Sequence, residues 1–495
     1  MAAGTSLAEA RPATGPSTHL AQTTNTGDQA TEHRISGPAS RQALAVPPHL
    51  RTTDATGSLG SSGHSSRLVT ERPAPARRGG GAPTRLADAV ASAVMTYPEI
   101  RINQSRVREA SAGIGIAQSA LYPSLDVRLA KGLNFSGTYE GNTVPYKAAS
   151  NAVDGRFDGG LILRQLVYDF GATHADIERA RLVRDAEKLK LQEKVEDIAH
   201  RTSQIYLKII EQRALVALVD ETIAAHEELA RIVQAHNREG HGTLADVQRV
   251  NSRLVDVRAI RSDVSLQLLA AEDQMARLTR QAPGRLAAVP DYSKTIPRSA
   301  QSAIERVIAR NPRLASLQAT RQSNEKELES HEASILPRIS FEVDGESKNY
   351  RNGPVGRTQA EGRAMLAMRY RMMDGGLSNA TKEQIGARIA SADFTLLNER
   401  EQIEADIRQA YRAIESAGRK MRLVGQGVES SLKVRELYLE QFKGGKRTIF
   451  ELLDGQMSYY SIRRTQIENQ FEGRRAIFDI LRATGDLTVA LSARN

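Results

Sequence analysis

Few residues in this chain of 495 are grouped in a way that suggests chemistry. The clearest group runs from Arg447 to Asp454. Glu451 and Asp454 are three apart, so both carboxylates fall on one helix face, where such a pair is ordinarily solvated surface. Arg447 stands four before Glu451, the spacing of an ordinary ion pair along a helix. His236 and His241 lie at a glycine turn, five apart with Gly240 between, and read as surface residues. The absence of Cys excludes disulfides, thiolate-bound zinc, iron–sulfur clusters and thiol nucleophiles. Gly113 and Gly115 sit in a helix-like stretch without the strand that a dinucleotide site needs, and Gly79-Gly80-Gly81 is linker. No Ser/His/Asp grouping can be argued from spacing. No metal, cofactor or enzyme activity is therefore expected.

The composition points the same way. Hydrophobic residues make up 40%, but aromatic residues only 4%, with no Trp, fewer rings than a large compact enzyme packs. The net charge of +10 is spread along helices as mixed signs, as in Arg179, Arg181, Arg184, Asp185, Glu187 and Lys188. Mixed signs mark a solvated face, so no nucleic-acid partner is expected. No run approaches the ~18 apolar residues of a membrane-spanning helix. Residues 1–83 hold no aromatic residue and eight of the 17 prolines, and are expected to be disordered. They lack a charged region followed by an apolar core, so no secretory signal is expected there.

The elements that must position the tip residues come in duplicate. Pro98 and Pro123 recur as Pro312 and Pro337 at an offset of 214. Asp169-Phe170-Gly171 recurs as Asp374-Gly375-Gly376, and Gly240 and Thr243 as Gly445 and Thr448, at an offset of 205. The division expected is a first repeat over 84–282, a linker over 283–298, a second repeat over 299–491 and a tail over 492–495. Within each repeat a helix of roughly 20 residues precedes two strand-like runs. A long helix free of proline then reaches a glycine turn (Gly240 and Gly242, or Gly444 and Gly445), and a second helix returns.

The long helices carry a heptad. It runs through Leu191, Val195, Ile198, Thr202, Ile205, Ile209, Gln212, Val216, Val219 and Ile223, and again from Ile403 to Val428. The strand-like runs alternate apolar and charged residues over 123–135, 338–344 and 363–373, and less cleanly over 161–168. Alternation fits a soluble sheet packed on one side, or lipid outside and water inside. Four strands cannot close a barrel and open edges are forbidden in a bilayer, so on the second reading several copies share one barrel.

This layout resembles the TolC-like outer-membrane channel proteins of efflux and type I secretion, over about Thr84 to Leu491. The most specific likeness is the run Phe442 to Asp454, with Gly240 to Gln248 as its first-repeat counterpart. The resemblance implies α-helical coiled coils forming a tunnel, plus four strands given to a twelve-stranded barrel shared by a homotrimer. It implies outer-membrane lipid around the strands, a periplasmic adaptor and an inner-membrane ABC transporter or proton-driven pump as partners, and a passive conduit for protein secretion or small-molecule efflux. It makes Arg447 and Phe442, with Asp246 as the acidic partner, the latch that holds the periplasmic tip shut. It places Glu451 and Asp454 in a ring around the narrow entrance, where carboxylates attract cations and repel anions. The family more often has Tyr where this chain has Phe442, so one latch hydrogen bond is missing. The competing expectation is a soluble coiled-coil rod that is not exported, which the lack of a visible signal favours.

Overall fold

The computed structural model describes residues 83–136, 152–350 and 358–493. The disorder expected at the front of the chain falls, apart from Pro83, outside these residues. Two sets of elements follow one another in the same order. The first is α1 (Leu86–Thr96), α2 (Pro98–Ser119), β1 (Ser124–Ser136), β2 (Ala152–Tyr168), α3 (Ala172–Arg238) and α4 (Leu244–Thr279). The second is α5 (Ala300–Arg310), α6 (Pro312–Ser334), β3 (Arg338–Tyr350), β4 (Thr358–Arg369), α7 (Leu377–Lys443) and α8 (Ile449–Thr484), closed by α9 (Leu487–Ser492). Both α3 and α7 have 67 residues. Each is therefore about 100 Å long at ~1.5 Å per residue.

The short helices α1 and α5 are absent from the reading above, which has a single helix before the strands of each copy. Tyr97 and Asn311 precede Pro98 and Pro312 and have extended backbone, as a pre-proline residue prefers. Proline then fits the first helical position, where no N–H is needed. One proline therefore ends one helix and begins the next.

Side by side, α3 lies between α2 and α4 on one flank and α6 and α8 on the other, while α7 packs on α6 and α8 and, over a short stretch, on α5. This explains how two copies of one pattern are buried differently. On α3 the heptad positions Ile198, Thr202, Ile209, Gln212 and Val219 are buried, and so are Ala199, Ser203, Tyr206, Leu207 and Leu218 off that seam. On α7 only Ile385, Ile403, Ile407, Ala410 and Ala417 are buried. A single heptad understates α3, which is sandwiched, and suits α7, which is an edge. Residues 280–299 form a belt around mid-length. The Tyr206 hydroxyl donates to the carbonyls of Thr84 (2.7 Å) and Ala287 (2.8 Å), tying α3 to the belt. Burial pushes the Tyr206 phenol up to about 12.

The four strands form one antiparallel sheet in the order β1-β2-β3-β4, with β1 and β4 as its edges. A register shift at Leu166/Tyr168 accounts for the weaker alternation of β2. The alternation after Arg363 runs past the strand, which ends at Arg369. One face carries ion pairs between neighbouring strands, Arg164–Asp126, Arg363–Asp344 and Arg369–Glu342. The other face carries Leu125, Val127, Leu129, Leu161, Leu366 and Met368, and among the described residues no helix covers it. Leu129 is 69% exposed and Leu366 67%. Among the described residues no helix is long and apolar enough to cross a membrane.

Candidate functional site at the hairpin tips

Each long helix ends in the same backbone device. Gly240 (φ 76°) and Gly445 (φ 71°) take the left-handed conformation that favours glycine. The next N–H then reaches back to the helix, His241 to the His236 carbonyl and Lys446 to the Gln441 carbonyl, both at 2.8 Å. Gly444 has φ −84° and room for a Cβ, so its conformation does not require glycine. At Gly242 a Cβ would come within 3.3 Å of the Asn237 nitrogen, a tight fit. At the offset of 205, Gly242 corresponds to Arg447, so only the second tip carries the arginine.

The returning helices start with matching capping boxes. Thr243 accepts from the Asp246 N–H, while the Asp246 carboxylate accepts from the Thr243 N–H and hydroxyl. Thr448 and Glu451 repeat the arrangement. Asp246 and Glu451 are thus equivalent positions with the same local task. The hydrogen bonds from Thr448, followed by the one from Arg447, hold the Glu451 carboxyl below the usual carboxylate range.

Arg447 is held on three sides within its own hairpin. It pairs with Glu451, its Nε donates to Gln441 Oε1 at 2.9 Å, and its guanidinium lies 4.5 Å from the Tyr438 ring centre. Asp246 pairs with Arg249 at 3.6 Å, and no ion pair joins it to Arg447 within the chain. The helix-surface pairing of Arg447 with Glu451 is therefore the contact made inside one chain. Phe442 stacks on His236 with ring centres 5.6 Å apart, bridging the end of α7 to the end of α3. Below this stack Leu229, Val233, Val250, Ile449, Leu452 and Leu453 form one core shared by both hairpins. Asp454 is exposed, with no cation paired to it among the described residues. The sequence reading takes His236 for a plain surface residue, whereas it stacks on Phe442, and it does not name Tyr438 or Gln441. Tyr438 lies four before Phe442 and His236 corresponds to Gln441 at the repeat offset, so the spacing did contain the signal.

The tips therefore present a packed aromatic and ionic cluster at the far end of the helices from a sheet with one bare apolar face. The outer membrane efflux protein family matches residues 91–279 and 303–486, in both copies. The outer membrane efflux protein BepC of Brucella suis biovar 1 (strain 1330) is 21% identical over 402 residues, spanning 78% of this chain and 82% of its own length. The proteases secretion protein PrtF of Dickeya chrysanthemi is 22% identical over 390 residues, spanning 76% of this chain and 82% of its own. Among solved structures, CusC superposes with a TM-score of 0.70 at 14% identity, over 83% of this chain and 96% of CusC. The chain belongs to the outer membrane efflux protein family, and it is an outer-membrane tunnel for efflux or type I secretion.

Proposed function

We propose that three copies of this chain close into one channel, with twelve strands shared in a single barrel and the helices of all three forming the tunnel below. The observation that carries this is the pair of unfinished edges. Strands β1 and β4 each lack a neighbour on one side. Below them, α7 leaves Phe394 and Leu437 exposed on one flank, and α4 leaves Val255 and Leu266 exposed on the other. Joining β4 and α7 of one copy to β1 and α4 of the next satisfies both flanks at once, and repetition closes a ring. The bare apolar sheet face then meets lipid, and the ion-paired face meets water. A soluble rod offers nothing to cover that face.

The division into repeats over 84–282 and 299–491, joined by the linker 283–298, belongs to the same reading. So does the latch. Between neighbouring copies, Arg447, Phe442 and Asp246 are available to hold the tip closed, and Glu451 with Asp454 would line its mouth. An adaptor protein and an inner-membrane pump would engage the tip and open it. The conduit performs no chemistry, and the pump selects the cargo. PrtF is named for protease secretion and BepC for efflux, and this chain resembles both to a similar degree. Purified protein reconstituted in planar bilayers should give discrete conductance steps, blocked when the tip is crosslinked through introduced cysteines. Absence of any conductance, or steps indifferent to tip crosslinking, would overturn the reading.

A further inference from the structure

A cleft of about 910 Å³ lies between the belt, over Ser293–Ala300, and the Arg408–Glu415 stretch of α7. Four cations line it: Lys294, Arg298, Arg408 and Arg412. Arg408 pairs with Glu404 at 3.1 Å. Lys294, Arg298 and Arg412 pair with no carboxylate among the described residues. The one carboxylate in the lining, Glu415, is already matched by Arg419. The cleft therefore carries about three positive charges that no described residue of the same chain matches with an ion pair. The first turn of α5 begins at its rim with Ala300, and a helix start adds partial positive charge.

The walls are fixed. The Tyr411 hydroxyl donates to the Pro297 carbonyl at 2.6 Å and clamps the belt onto α7. Ile296, Pro297 and Ile414 give the cleft apolar surface between the charges. The volume suits a ligand the size of a few residues.

We infer that this cleft binds an acidic peptide segment, carboxylates to Lys294, Arg298 and Arg412, with an apolar side chain between them. A lipid headgroup is excluded by distance. Arg412 stands 35 residues into α7, about 50 Å from its strand end at ~1.5 Å per residue, beyond the reach of a bilayer that holds the strands. Glycan would leave the apolar walls unused. The partner is therefore a protein with an exposed acidic stretch that meets the channel at its waist, away from the tip.

Fluorescence anisotropy on the detergent-extracted full chain tests this, with a short labelled peptide alternating glutamate and leucine as the probe. Binding should weaken with added salt. It should fall about tenfold or more in the Arg298→Gln/Arg412→Gln double variant. It should be retained in Arg298→Lys/Arg412→Lys, which keeps the charge, and in Arg422→Gln, which removes an exposed α7 cation outside the cleft. The inference is overturned if the natural chain does not bind the peptide. It is equally overturned if Arg422→Gln weakens binding as much as the double variant, or if a cell-wall disaccharide-peptide competes better than the acidic peptide.

Discussion

At the scale of single residues, the two tip acids differ in how much charge they present. Glu451 is matched by Arg447 and held by its capping box, whereas Asp454 is exposed and unmatched. Ion preference should follow the unmatched charge. Asp454→Asn should shift the reversal potential in a salt gradient toward non-selectivity more than Glu451→Gln does. Equal shifts, or none, would remove Asp454 from the entrance. The same bonds make the second tip sensitive to acid in a definite sense. Glu451 is depressed below its ordinary value of 4.5 when folded. Its contribution is therefore present above that value and is lost as the pH falls through the lower, folded one. Arg447 and Asp246 share no ion pair or hydrogen bond within a chain, so a direct bond between them must cross between copies. Measured on closed-state conductance, Arg447→Ala and Asp246→Ala should each raise it. The double variant should fall short of the sum by an interaction worth about 0.5–3 kcal/mol. Strict additivity would reduce both residues to local roles in their own hairpins.

Between residues and the whole lie the helices, and here the sequence could be read unevenly. The landmarks that rest on backbone chemistry were legible: proline at the helix starts, glycine at the turns, alternation in β1 and β3. The double burial of α3 was not, because a heptad records one seam, and the residues buried off it mix small and polar side chains such as Ala199 and Ser203 with Tyr206, Leu207 and Leu218. At the tip, Thr243 and Thr448 were visible as landmarks of the repeat, but their capping of Asp246 and Glu451 was not read, and the stack of Phe442 on His236 depends on which helices lie side by side. That neighbourhood comes from packing, which no local spacing encodes. One consequence concerns α3 directly. His226 is fully buried in it, bonds through Nδ1 to the Thr222 carbonyl at 2.9 Å, and leaves Nε2 without a partner. Burial lowers its basicity when folded. Above the ordinary histidine value of 6.5 this costs nothing; below it, the unfolded chain takes up the proton first and stability declines until the folded value is reached. His226→Leu should abolish that part of the pH dependence of thermal unfolding. An unchanged profile would show that other groups set it.

For the whole molecule, the governing fact is that one chain leaves its most apolar sheet face and both of its flanks uncovered. Placing Arg at Leu129, on the bare face, should cost about 2–4 kcal/mol if that position lies near the bilayer midplane, and should reduce recovery in the outer membrane. The stronger test is of closure itself. The chain has no cysteine, so introduced ones report without background. Pairs of cysteines scanned along β1 and β4 lie at opposite edges of the four-stranded sheet, with β2 and β3 between them. A disulfide between β1 and β4 must therefore join two copies. Oxidation in intact cells should then give a ladder on denaturing gels that stops at three chains. Because a ring has no free end, the trimer should appear as a closed species that reduction returns to monomer. Chains that remain single would leave the sheet edges open, which a lipid environment does not tolerate. A ladder continuing past three would mean a wider barrel. Either result would refuse the trimer, and the second would also enlarge the tip ring, so that the number of carboxylates at its mouth would have to be counted again.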